Sequence, residues 1–223
     1  MSRKITLMGA GSVVFAKTLV GDILQSPELA DSTICLMDID PARLKVANIV
    51  VSRMIKKLGV PARLESTLDR KEAIRGAKYV ICTIQVGGYK PSTVRDFEIP
   101  KKYGLQQTIA DTLGIGGIFR GLRTAPVLID IARDIADVAH PDCLFLNYTN
   151  PMAINCWAVQ KATGVPHVGL CHSVFGTAGL LASHIGLPIG DISYLAAGIN
   201  HMAFFLKFQY RGQDLTPLLF KVL

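Results

Sequence analysis

With 223 residues, half of them hydrophobic, the chain is long enough for one large domain or for one and a half, and no apolar run approaches the ~18 uncharged residues of a membrane span. Met1 to Met8 run straight into a strand with no secretory pattern, and the five cysteines (Cys35, Cys82, Cys143, Cys156, Cys171) form no CxxC pair, so free thiols in a reducing cytoplasm are expected. The formal charge of +7 is spread over residues such as Arg53, Lys56, Lys101 and Arg120 with no basic run interleaved with aromatics, which disfavours nucleic-acid binding and fits surface charge or an anionic cofactor equally well.

Lys4–Met8 reads as a buried strand, and Gly9-Ala10-Gly11-Ser12 follows at once. A helix is then predicted from Val13 to Leu24, with Phe15, Leu19 and Ile23 at helical spacing. Strand, glycine turn and helix form a phosphate-binding context, because the backbone can approach a pyrophosphate while the helix N-terminus supplies N–H groups. The third glycine of the fingerprint would fall at Val14, so a plain strand-to-helix turn remains open. A second strand, Thr33–Met37, ends at Asp38, where a dinucleotide fold holds the adenosine ribose hydroxyls. A carboxylate there favours NAD, since it would repel a 2′-phosphate. Asp40-Pro41 starts a helix running to about Leu58, with Asp40 as N-cap and Pro41 at the first helical position.

A third strand is expected at Arg63–Ser66, a short helix at Asp69–Arg75 closed by Gly76, and a fourth strand at Tyr79–Thr83. Gln85-Val86-Gly87-Gly88-Tyr89 then occupies the place where a doubly wound sheet meets the nicotinamide half of its cofactor. Lys90 to Phe119 reads as a long, weakly periodic and functional loop, with Asp111, Thr112 and Gly114, Gly116 and Gly117 ahead of a helix from Ile118 to Ala139. An N-cap or turn role for Asp111 competes with a functional one. A fifth strand, Leu144–Tyr148, leads to Asn150, which reads as a ligand-binding residue at the carboxyl end of the sheet, as the N-cap before Pro151, or as both, with backbone and side chain doing different jobs.

His167–Leu170 is the sixth strand, followed by Cys171-His172-Ser173 and a helix from Gly176 to Ile185. Strands at Ile192–Ala197 and Phe204–Tyr210 flank Gly198-Ile199-Asn200-His201, and Arg211–Asp214 reads as a hairpin turn. Cys171 and His201, thirty residues apart, are a thiol and an imidazole suited to a borderline divalent cation, and two strand ends of one sheet could bring them together. Taken alone, each is more ordinarily a small buried hydrophobe or a hydrogen-bonded core residue.

GAGS at Gly9, MDID at Met37, QVGGY at Gln85, NYTNPMA at Asn147, GLCHS at Gly169 and GINH at Gly198 together resemble glycoside hydrolase family 4, in order along the whole chain. IQVGGYKPSTVRDFEIP and QTIADTLGIGGIFR are most similar to its α-galactosidase branch. The resemblance implies an α/β fold, a Rossmann-type doubly wound and mostly parallel sheet over residues 1–170, followed by the start of a second α+β domain over 171–223. Family chains are longer, so this one is expected to correspond to their N-terminal half, with the family's tyrosine base in the other half. The implied cofactors are NAD and Mn2+ or another divalent cation, and the implied substrate is an α-linked sugar, cleaved by a homo-oligomeric enzyme. The implied chemistry is oxidation at carbon 3 by NAD, loss of the carbon 2 proton, elimination at carbon 1, addition of water and return of the hydride, instead of the usual pair of carboxylates.

By the same resemblance, Cys171 and His201 hold the metal; Gly9, Gly11, Ser12 and Asp38 hold the cofactor; and Asn150, His172 and Gln85 meet the sugar. His172 and Asp111 are the catalytic candidates, and His172 in place of Asp or Asn argues for an unphosphorylated sugar. An α-glucosidase of the same family, a lactate- or malate-type NAD dehydrogenase and a non-catalytic NAD-binding module of a split protein are the alternatives. The dehydrogenase needs no cysteine ligand, so CHS and GINH weigh against it.

Overall fold

A computed structural model describes residues 3–108 and 112–222. The chain divides into two compact units, Met1–Leu170 and Cys171–Leu223. The first unit is built on β1 (Lys4–Met8), β2 (Thr33–Met37), β3 (Arg63–Thr67), β4 (Tyr79–Cys82), β5 (Leu144–Asn147) and β6 (His167–Gly169). They form one parallel sheet in the order β3-β2-β1-β4-β5-β6, the doubly wound arrangement. Every residue of β2 is buried, because helices cover both faces and a strand of this kind needs apolar side chains on each. Its alternation splits the core in two: Ile34 and Leu36 point into one cluster with Val20 and Val51, while Cys35 and Met37 point into the other with Leu128 and Phe145.

The first cluster is closed by α1 (Val13–Gln25) and α2 (Pro41–Leu58), the second by α3 (Arg70–Ile74), α5 (Gly114–Val138) and α6 (Met152–Ala162). Asp40 caps α2, its carboxylate accepting from Ala42 N at 2.9 Å and Arg43 N at 3.1 Å, with Pro41 just inside. α5 buries Leu128, Ile131, Ala132 and Ile135 on one stripe.

Three expectations in this unit are corrected. The stretch after β4 is not one long loop: a π-helical turn at Gly88–Thr93 runs into α4 (Val94–Lys101). What orders it is a pair distant in sequence. Asp96, which is buried, takes both terminal nitrogens of Arg123 at 3.2 and 2.6 Å. The α5 helix starts at Gly114, four residues before Ile118, so the glycines form its first turns instead of preceding it. Glycine is a poor helix former, but tertiary packing overrides propensity here: Gly121 lies against Ile154 and Pro151. Asn150 is not a helix cap, since α6 begins at Met152 with Pro151 in the capping position, after a cis Asn150–Pro151 bond.

The second unit comprises α7 (Ser173–His184), a 3-10 turn at Ile189–Asp191, and an antiparallel sheet of β7 (Ile192–Ile199), β8 (Met202–Tyr210) and β9 (Gln213–Asp214), followed by α8 (Thr216–Val222). Its own small core is Ala178, Ala182, Ile192, Phe208 and Leu215, with Phe205 stacked edge-on between Tyr194 and Phe208 at 5.7 and 5.6 Å. No helix among the described residues is long and apolar enough to cross a membrane.

Candidate functional site

The turn after β1 is shaped around Asp38. Gly11 N–H donates to Asp38 Oδ2 at 2.7 Å, and Asp40 N–H donates to Oδ1 at 2.9 Å. A Cβ on Gly11 would lie 2.6 Å from Asp38 Oδ2 and 2.7 Å from Arg43 Cβ, so no larger residue lets the turn close onto the carboxylate. Gly9 ends the strand with its N–H on Met37 O at 2.9 Å. Ser12 precedes α1 without capping it through its side chain, and the first turn of α1 carries no acidic residue. The N–H groups at the head of α1 are thus left for an anion, and the dipole there favours one. Asp38 is almost wholly buried, and each of its oxygens retains a lone pair beyond the backbone bond it accepts. These features fit the diphosphate and ribose of a dinucleotide.

The loop after β4 borders a cleft of about 620 Å³ lined by Gln85, Tyr89, Thr93, Phe97 and Arg120. Gln85 Nε2 donates to Thr93 Oγ1 at 2.9 Å, which fixes the amide at the cleft wall. Arg120 Nε donates to the Asn150 carbonyl at 3.1 Å, tying Asn150 to the same wall. Asn150 itself is half-buried. Arg120 was not singled out by sequence reasoning; seven residues into a helix whose start was misplaced, it reads as surface charge. Asp111 lies outside the described residues.

Cys171 and His201 come together within the second unit, with Sγ 3.6 Å from Nε2. They do so by a route other than two strand ends of one sheet. Cys171 follows β6 of the parallel sheet, whereas His201 sits at the two-residue apex of the antiparallel β7–β8 hairpin. His201 holds a left-handed φ of 66°, a conformation costly for a residue with a Cβ. Gly198, at φ 144°, lies where a Cβ would be 2.5 Å from Met202 O, so the GINH spacing needs glycine to close the hairpin.

The helix after Cys171 begins at Ser173, three residues earlier than the sequence suggested, with exposed His172 at its cap. That start aims the Ser173 N–H at Cys171 Sγ, 3.4 Å away, and places Ser173 Oγ 3.0 Å from it. Burial alone would push the thiol up. Hydrogen bonds from the Ser173 side chain and backbone, the Asn200 side chain and the His172 backbone outweigh it and hold the thiol below its ordinary range. The other cysteines are also free, but burial pushes them the opposite way, Cys82 and Cys143 to about 11.

Among the described residues no group of three or more His, Cys, Asp or Glu is placed to hold a metal. A thiolate and an imidazole at this distance nevertheless fit a divalent cation with open coordination positions. Asn200, beside His201, has its Oδ1 buried without a hydrogen-bond partner among the described residues. Sequence reasoning passed over this residue because an asparagine at a hairpin apex reads as a turn former.

The alpha-galactosidase of Bacillus subtilis (strain 168) is 50% identical over 215 residues, covering 96% of this chain and 50% of the relative. The alpha-galactosidase of Rhizobium meliloti (strain 1021) is 40% identical over 212 residues, covering 95% of this chain and 43% of the relative. A 6-phospho-beta glucosidase from Thermotoga maritima, solved with manganese, NAD+ and glucose-6-phosphate, superposes with a TM-score of 0.86 at 26% identity, covering 98% of this chain and 52% of that one. The chain spans about half the length of the curated relatives it matches. The family model described as Family 4 glycosyl hydrolase matches residues 4–187, and the chain belongs to that family.

Proposed function

We propose that this chain serves an α-galactosidase that works through bound NAD and a divalent cation, manganese being the natural candidate. The observation that carries the reading is the coexistence of two sites in one chain. One is the Gly9–Ser12 turn closed on Asp38; the other is Cys171 Sγ held 3.6 Å from His201 Nε2. A simple hydrolase has no use for the first, and a 2-hydroxy-acid dehydrogenase has no use for the second. The galactosidase assignment draws on the two relatives named above, and the cofactor assignment on the Thermotoga structure.

In this reading the head of α1 takes the cofactor diphosphate and Asp38 the adenosine ribose hydroxyls. Cys171 and His201 grip the cation, the thiolate kept available by its bonds from Ser173 and Asn200. When bound, NAD supplies a hydride acceptor and the cation polarises the sugar oxygens. Gln85 and Asn150, fixed on the wall of the cleft after β4, orient the sugar, and exposed His172 follows the cation ligand as a polar group for it. Residues 1–170 form the NAD domain and 171–223 contribute the cation ligands. A cytoplasmic location suits the free thiols. Association between copies suits the exposed apolar face of Leu195, Ile199, Met202, Phe204 and Leu206 on β7 and β8.

Hydrolysis of a galactoside in heavy water with NAD and manganese tests the route. The chemistry must break the bond to the carbon 2 proton, so deuterium is expected at carbon 2 of the released galactose. Galactose released without deuterium there would sink the reading, because ordinary glycosidases act at carbon 1 alone.

A further inference from the structure

We propose that Asn200 is a third protein ligand of the Cys171–His201 centre, its side-chain oxygen binding the cation directly; this rests on the cation reading above. Asn200 shares the β7–β8 hairpin apex with His201, so the turn that delivers the imidazole delivers the amide too. Its side chain is among the groups that favour the Cys171 thiolate, and a thiolate can only accept, so it is the amide nitrogen that faces the sulfur. The oxygen hangs from the same carbon and cannot be far from the site. That oxygen is buried and has no hydrogen-bond partner among the described residues. A buried carbonyl left unpaired is costly, so such atoms are usually explained by a group the site expects.

A divalent cation supplies what the oxygen lacks. Thiolate and imidazole alone form a donor pair that suits zinc or copper, whereas manganese prefers carbonyl, carboxylate and water oxygens. An amide oxygen therefore shifts the set toward the harder ion. It also adds no charge beside the thiolate, which a carboxylate would do. The His201 backbone, strained at φ 66°, is the cost of presenting both neighbouring side chains to one point.

The test is manganese binding to the 223-residue chain, followed by loss of the free-ion paramagnetic resonance signal, with no turnover needed. Asn200→Ala is expected to weaken binding about 10–100-fold, the scale seen when groups around a metal are removed. Cys171→Ser serves as the control for the site itself. If Cys171→Ser weakens binding and Asn200→Ala does not, Asn200 is no ligand and the two-residue centre stands. If neither variant weakens it, or the unaltered chain binds no manganese, the cation reading falls and the proposal with it. Should Asn200→Ala fail to fold, crystals of the unaltered chain soaked with manganese decide. A cation about 2.0–2.6 Å from Asn200 Oδ1 supports the ligand, and any longer separation overturns it.

Discussion

Asp38 does two jobs with one carboxylate. It accepts Gly11 N–H at 2.7 Å and Asp40 N–H at 2.9 Å, which fixes the turn and the entry to α2, and it keeps the lone pairs that the proposed function assigns to a ribose. In the proposed reading its charge also sets the choice of cofactor, because a 2′-phosphate would meet it directly. NAD is expected to bind at least ~10-fold more tightly than NADP, and Asp38→Asn to lose about 10–100-fold in NAD affinity, the worth of a hydrogen bond to a charged group. Calorimetric titration with both dinucleotides checks this, and equal affinities in the unaltered chain would remove Asp38 from the role. Cys171 shows the same economy: one sulfur accepts from Ser173 and Asn200 and still faces His201.

At the scale of elements, the loop after β4 is held by a side-chain pair and not by its own periodicity. Asp96 on α4 and Arg123 on α5 meet bidentately, and Arg123 Nε also donates to Val86 O at 3.1 Å, pinning the start of the QVGG segment. Breaking a buried pair by removing one partner strands the other, so Asp96→Ala should cost about 3 kcal/mol. Replacing both, with Asp96→Leu and Arg123→Met together, should recover much of that loss. Urea unfolding at neutral pH measures both. A loss below ~1 kcal/mol for Asp96→Ala would mean that the pair does not order the loop.

For the molecule as a whole, pH acts through the buried thiols. Burial raises Cys82 from an ordinary 9.0 to about 11, and Cys143 moves the same way. A raised folded-state pKa means that the fold favours the neutral thiol. The contribution is therefore complete below about 9 and disappears as pH climbs from about 9 to about 11. For Cys82 alone the loss is on the order of 2–3 kcal/mol. Unfolding midpoints at pH 8 and pH 11 should drop more in the unaltered chain than in Cys82→Ala. Equal drops would assign the alkaline loss to other groups. The exposed apolar face of β7 and β8 makes a separate forecast. Phe204→Ser with Leu206→Ser should shift any dimer seen by sedimentation toward monomer without altering NAD binding, and an unchanged distribution would place the contact elsewhere.

Apart from α4 and the turn before it, the order of strands and helices in the first unit was written in the sequence, because buried parallel strands need unbroken apolar runs and helices need caps such as Asp40. The glycine turn, Asp38, Cys171 and His201 were likewise legible as candidates, since each follows a strand or sits in a short motif. What tertiary structure alone decided are the contacts between residues far apart in sequence. Thirty residues of spacing cannot say that Cys171 and His201 approach to 3.6 Å, nor that one leaves a parallel sheet while the other crowns an antiparallel hairpin. Nor can it show the Asp96–Arg123 pair that turns an apparent loop into helix, or the burial of Asn200 Oδ1. Local sequence sets which conformations are cheap, whereas burial and pairing belong to the folded whole, where a glycine-rich stretch becomes the start of α5 because packing outweighs propensity.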